Sequence, residues 1–189
     1  MTDMSYLFDG MTNFNAPIDQ WNTSEVTNMH AMFYDASSFN QPITMDTSKV
    51  INMSSMFYGA SSFNQPITMD TSKVTSMSNM FKGASSFNQP LTMDTSKVTS
   101  MSCMFWDASS FNQPITMDTS KVTNMDCMFN GATAMTHPIP SLKEAAQVEE
   151  AGEEKEAAVS NFFESVADQG VFVVVEIDIF FLMPLFLSW

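Results

Sequence analysis

The twelve residues FNQPITMDTSKV fill positions 39–50, and the same twelve return at 63–74 and 111–122. A copy with one change, FNQPLTMDTSKV, fills 87–98. Full units therefore begin at Phe14, Phe39, Phe63, Phe87 and Phe111, and a remnant, MTHPI, begins at Met135. The first unit has 25 residues and the later ones 24; the difference falls where IDQWNTS at Ile18 becomes ITMDTS at Ile43. Self-similarity at this period marks a repeat architecture. One unit cannot bury its apolar side alone, so identical neighbours must supply the partner surface.

Each unit carries two patterns in succession. Ile43, Met45 and Thr47 alternate with Thr44, Asp46 and Ser48, the period of two expected of a short strand. Val50, Met53, Met56, Phe57, Ala60 and Phe63 then recur mostly at threes, which predicts a short helix or 3₁₀ turn with one apolar face. The intervening DTS supplies residues that favour helix N-caps. Gly59, Gly83 and Gly131 stand where a C-terminal cap would fall, and Pro42, Pro66, Pro90 and Pro114 stand just before the strand, where a missing N–H is tolerated. The expected fold is α/β, a β/α solenoid with short parallel strands on one face and helical turns on the other. Equivalent residues form columns through it, one of Phe57, Phe81, Phe105 and Phe129 and another of Phe39, Phe63, Phe87 and Phe111.

The unit FNQPI…DTSKVTNM..MF.GASS resembles the repeat of the BspA-type leucine-rich-repeat surface proteins, also known as the mycoplasma-lipoprotein repeat. The first unit is the most similar, because Trp21 preserves the I-x-x-W pattern that later units lose. The resemblance covers residues 1–139. It implies a right-handed, leucine-rich-repeat-like solenoid with a cell-surface or extracellular role in adhesion or protein binding. It brings no catalytic residues and no cofactor.

Three segments are expected: repeats over 1–139 (a partial unit at 1–13 included), an acidic helix or linker over 140–169, and an apolar tail over 170–189. The chain opens in mid-unit, since MTDMSYLF at the start aligns with VTNMHAMF at Val26. This points to a fragment or to a start further upstream, so the lack of a secretory signal in the first residues carries little weight. After Ser141 there are ten acidic groups and two lysines; the segment reads as a solvated helix or linker, or as a helix over the open end anchored by Phe162, Phe163 and Val166. The final VFVVVEIDIFFLMPLFLSW has the length of a membrane span. Glu176, Asp178 and Pro184 argue against one, because a central carboxylate costs about 2.5–3.5 kcal/mol on insertion scales.

Net charge is −14, there are seven lysines and no arginine, and phosphate neutralisation is what nucleic-acid binding requires. That class is excluded. His30 and His137 have no convergent partners, so neither a zinc site nor a histidine-based triad is indicated; His30 reads as an exposed surface residue. Asp46, Asp70, Asp94 and Asp118 form a column beside Lys49, Lys73, Lys97 and Lys121. Capping of the next turn is the simpler account of these carboxylates, and a calcium ladder would need a glycine-rich motif that is missing. Asn15, Asn40, Asn64, Asn88 and Asn112 are expected to bond loop backbone.

Cys103 and Cys127 share one position in neighbouring units, a candidate disulfide if the turns stack closely enough and two free thiols if they splay. Tyr34, Tyr58, Lys82, Trp106 and Asn130 share the position after the inner phenylalanine, where identity varies while interior letters stay constant. Tyr34, Tyr58 and Trp106, with Asp46, Asp70, Asp94 and Asp118, are the candidate partner-binding residues, the partner being a protein or a glycan. The expected function is a non-enzymatic surface interaction or adhesion module; the alternative is an intracellular repeat scaffold.

Overall fold

In each repeat the segment after the DTSKV motif folds into a run of overlapping turns, as residues 52–63 show. Met56, Tyr58, Ala60 and Phe63 donate their N–H groups to the carbonyls of Met53, Ser55, Phe57 and Ala60, three residues back, at 3.0–3.2 Å. Met53, Ser55, Phe57 and Gly59 instead donate to Ser76, Ser78, Met80 and Lys82 in the next repeat, at 2.7–3.3 Å. Ser55 and Gly59 have φ of +59° and +65°. A positive φ at the third residue of a turn, after a residue of negative φ, is the sign pattern of a type II turn.

The same block occurs six times, at 3–14, 28–39, 52–63, 76–87, 100–111 and 124–135, and these are called tiers one to six below. Single parallel bridges join them, from Asp3 to Asn28 and onward through Asn52, Ser76 and Ser100 to Asn124. Each tier holds two positive-φ residues. One column is Tyr6, Ala31, Ser55, Asn79, Cys103 and Cys127; the other is Gly10, Asp35, Gly59, Gly83, Asp107 and Gly131. The computed structural model describes residues 1–138. They fall within one compact unit. The expectations for 140–169 and 170–189, including the anchoring role of Phe162, Phe163 and Val166, lie outside the described residues.

The α/β class and the leucine-rich-repeat-like β/α solenoid are overturned. Among the described residues there is no helix, and strand pairing is limited to single-residue bridges. The helix fails because a right-handed helix admits no left-handed residue, which costs roughly 1–2 kcal/mol for an L side chain, and here one recurs every fourth position. Gly59, Gly83 and Gly131 accordingly serve turns and not helix ends. The strand fails for a different reason. Ile43, Met45 and Thr47 do face inward and Thr44 and Asp46 outward, so the alternation is real, yet no backbone ladder joins this connector to its neighbours. Side chains make the connection instead, Thr68 Oγ1 donating to the Ile43 carbonyl at 3.1 Å and Thr47 Oγ1 to that of Asp70 at 3.0 Å.

The core runs up the middle. Phe33, Phe57, Phe81 and Phe105 are fully buried, as are Phe39, Phe63, Phe87 and Phe111. Within a tier the two rings stack at 4.0–4.2 Å, as in Phe57–Phe63 and Phe105–Phe111. Between tiers Phe57 and Phe81 are 5.6 Å apart with planes within 6°. Two interleaved columns thus make one continuous offset stack, the favoured arrangement for aromatic rings. Met29, Met53, Met77 and Met101 fill the space beside them without exposure.

Two measurements check this account. Phe81→Ala removes a ring from the middle of the stack and is expected to cost about 3–5 kcal/mol in urea unfolding. Gly83→Ala isolates the backbone term, because the added Cβ would meet only Gly59 backbone atoms at 3.6 Å; its expected cost is about 1–2 kcal/mol with an unchanged m-value.

Candidate functional site

The exposed side of the turn face is built by the residue between the inner phenylalanine and the second left-handed position. Its backbone is tied down at both ends, since Tyr58 donates to Ser55 at 3.0 Å and accepts from Asp35 at 2.7 Å. Tyr34, Tyr58, Lys82 and Trp106 are therefore held in one half-buried column. Tyr34 and Tyr58 stack with planes within 5°. Lys82 Nζ lies 5.5 Å from the Tyr58 ring centre and 4.2 Å from that of Trp106, a cation–π pairing on two sides. Partial burial and then the Tyr58 hydroxyl push the Tyr34 phenol above its ordinary value. Tyr58 is thus covered on two sides, by Tyr34 and Lys82, and Tyr34 and Trp106 on one side each, so the column offers ring edges, two phenol hydroxyls and an indole. Lys82 was not among the candidate residues; its place between two aromatic letters in the column was the signal.

Asp46, Asp70, Asp94 and Asp118 form the second predicted column, on the connector. Each carboxylate accepts from the N–H two residues on, Ser48, Ser72, Ser96 and Ser120 at 2.9–3.0 Å. Hydrogen bonds from these serines hold all four below the usual carboxylate range, with smaller help from the lysines. The capping role is present, on a turn in place of a helix. Lys49 pairs not with the aspartates but with Glu25, at 2.6 Å on an exposed surface, a contact worth about 0–1 kcal/mol. Among the described residues no hydrogen bond, ion pair or aromatic contact links the aspartate column to the aromatic one, and no three His, Cys, Asp or Glu groups come together as metal ligands.

Other columns are structural. Asn64 Oδ1 accepts from the Asn88 N–H at 2.9 Å and from Gln89 Nε2 at 3.1 Å, and Asn40 and Asn88 repeat the pattern. This ladder satisfies connector amides that no strand pairing reaches. His30 is half-buried and not an exposed residue. Its Nδ1 is 2.8 Å from the Ser54 carbonyl and its Nε2 is 2.9 Å from the Tyr6 hydroxyl. That arrangement has Nδ1–H donating and Nε2 accepting. A chain of hydroxyls, Ser54 to Ser76 at 2.7 Å and Ser78 to Ser100 at 2.7 Å, was not anticipated; the 24-residue register brings these serines together. Cys103 is half-buried and Cys127 exposed, and both are free thiols.

Residues 1–92 and again 68–162 match the family described as Mycoplasma protein of unknown function, DUF285. The two matches overlap within the repeats and together span most of the chain. No curated protein matches, and no solved structure matches.

Two outcomes are expected. Asn64→Ala leaves the Asn88 amide and the Gln89 side chain without their acceptor and lowers stability by about 1–3 kcal/mol, read from the urea midpoint. The aspartate column makes stability depend on acid. Since the folded carboxylates lie below their ordinary 3.8, their contribution is complete above that pH and is lost as pH falls through the lower, folded values. The urea midpoint should hold above pH 3.8 and drop as pH falls below it, and Asp70→Asn with Asp94→Asn, which keep an acceptor at the turn, should flatten that drop.

Proposed function

The chain belongs to the mycoplasma repeat family DUF285, and from that premise we propose that it is a non-enzymatic interaction module that binds a protein partner through its turn face. The observation that carries this reading is where the repeats differ. Interior letters scarcely change from tier to tier, whereas the column after the inner phenylalanine reads Tyr34, Tyr58, Lys82 and Trp106, all half-buried, and then the exposed Asn130. A scaffold that keeps its core fixed while varying exposed aromatics is arranged for recognition, and aromatic side chains anchor protein interfaces. Edge-on rings flanked by hydroxyls and one ammonium group suit a protein surface better than a sugar face. The resemblance to BspA-type surface proteins supports display at the cell surface or outside the cell, with adhesion as the role.

The test compares the wild-type protein with Tyr58→Ser/Trp106→Asn, which brings to each position a small polar side chain and leaves the buried columns intact. Both proteins are passed over an array of purified cell-surface and matrix proteins and over a glycan array. A protein ligand bound at least about tenfold more weakly by the variant, with circular dichroism unchanged, is the expected result. Equal binding by the two proteins would place recognition elsewhere, and retention only on the glycan array would replace the protein partner with a carbohydrate.

A further inference from the structure

We propose that Cys103 and Cys127 form a thiol–disulfide staple that locks tier six onto tier five when the protein meets a low-molecular-weight disulfide such as oxidised glutathione. The left-handed column holds Tyr6, Ala31, Ser55 and Asn79 in tiers one to four and a thiol only in tiers five and six, so the two cysteines of the chain are immediate neighbours. Their backbones are fixed in register. Cys103 N–H donates to the Asp126 carbonyl and Phe105 N–H to that of Met128, each at 2.8 Å, which sets Cys103 directly opposite Cys127 as parallel neighbours. Both sit in the same turn, closed by Trp106 N–H to Cys103 and Asn130 N–H to Cys127, each at 3.1 Å. Their φ values of +54° and +57° are nearly equal, so the two Cα–Cβ bonds run side by side.

The bond needs only a small closure. In-register parallel neighbours have Cα atoms about 4.8 Å apart, inside the roughly 4.4–6.8 Å range of disulfides, and side-by-side Cβ atoms must move a few tenths of an ångström together to reach the roughly 3.5–4.5 Å that a disulfide requires. The concern raised by the sequence was that turns would splay farther than connectors. The turns that carry the cysteines are instead joined directly by main-chain hydrogen bonds at 2.8 Å, so they do not splay. Burial, and after it the neighbouring Cys127 thiol, push the Cys103 thiol above its ordinary value, while the Lys82 ammonium pulls the other way.

Access sets the order of events. Exposed Cys127 attacks as thiolate on one sulfur of oxidised glutathione, forming a Cys127–glutathione mixed disulfide and releasing one glutathione thiolate. Cys103 then gives up its proton to the released glutathione thiolate, attacks the Cys127 sulfur and expels the second glutathione thiolate. The protein gives up two protons and two electrons, and one oxidised glutathione becomes two reduced ones. The product closes a covalent ring across two tiers, so tier six can no longer detach alone.

The full chain is reduced, freed of reductant and equilibrated with mixtures of reduced and oxidised glutathione, then trapped with an alkylating reagent and analysed by mass spectrometry and urea unfolding. The expected product is two hydrogens lighter, yields a peptide pair joined through Cys103 and Cys127, and unfolds at a higher urea midpoint. Cys103→Ser, which installs the residue that tier three carries at this position, should stop at the glutathione adduct on Cys127 and show no midpoint rise. A wild-type protein that remains reduced or ends as that adduct would overturn the proposal, as would a disulfide that leaves the midpoint where it was.

Discussion

The constraint on which the rest of the molecule depends is the left-handed residue placed every fourth position in the turn face. A positive φ at Ser55 and again at Gly59 turns the backbone so that alternate N–H groups point out of the tier. Those groups cannot be satisfied locally, and a buried amide without a partner is costly. The neighbouring tier provides the carbonyls. Local turns and long-range stacking are therefore one event, since neither is complete without the other. Non-glycine residues such as Ala31, Ser55 and Cys103 accept roughly 1–2 kcal/mol of backbone strain, offset by the inter-tier hydrogen bonds and the rings beneath them.

This explains how much of the fold could be read from the letters. The period, the unit boundaries and the inward columns follow from exact repetition, and Phe57 and Phe81 do lie stacked in register. The Asn64 ladder was also legible, because an amide side chain repeated at a buried loop position has little else to do. Helix and strand were misread for reasons that lie in particular residues. Val50, Met53 and Met56 recur at threes whether the chain forms a 3₁₀ helix or consecutive turns, and only the sign of φ separates them. Nothing in Ala31 or Ser55 announces a positive φ; Asn79 and Gly83 do, but their neighbours in the column dilute the sign. Ile43, Met45 and Thr47 alternate as a strand does, yet whether neighbouring connectors pair through their backbones is decided by the whole pile.

The candidate site was legible by position and not by geometry. Tyr34, Tyr58 and Trp106 do share one half-buried column. That Tyr34 and Lys82 would cover the two sides of Tyr58 depends on stacking between tiers, which no single unit encodes. Likewise Asp46 and its equivalents bond the serines two residues on, a local motif, with smaller electrostatic help from the lysine column beside them.

One feature of the hydrogen bonding extends beyond any single tier. In each of tiers one to five four amides, those of Met53, Ser55, Phe57 and Gly59 for example, point up the pile, while Ile51 and Ser62 donate downward to Thr27 and Ser37. The peptide dipoles do not cancel. They accumulate along the axis as they do in a helix, with partial positive charge toward the later repeats and partial negative charge toward the earlier ones. The array thus has an electrical direction, and a charged molecule lying along it would meet two inequivalent orientations.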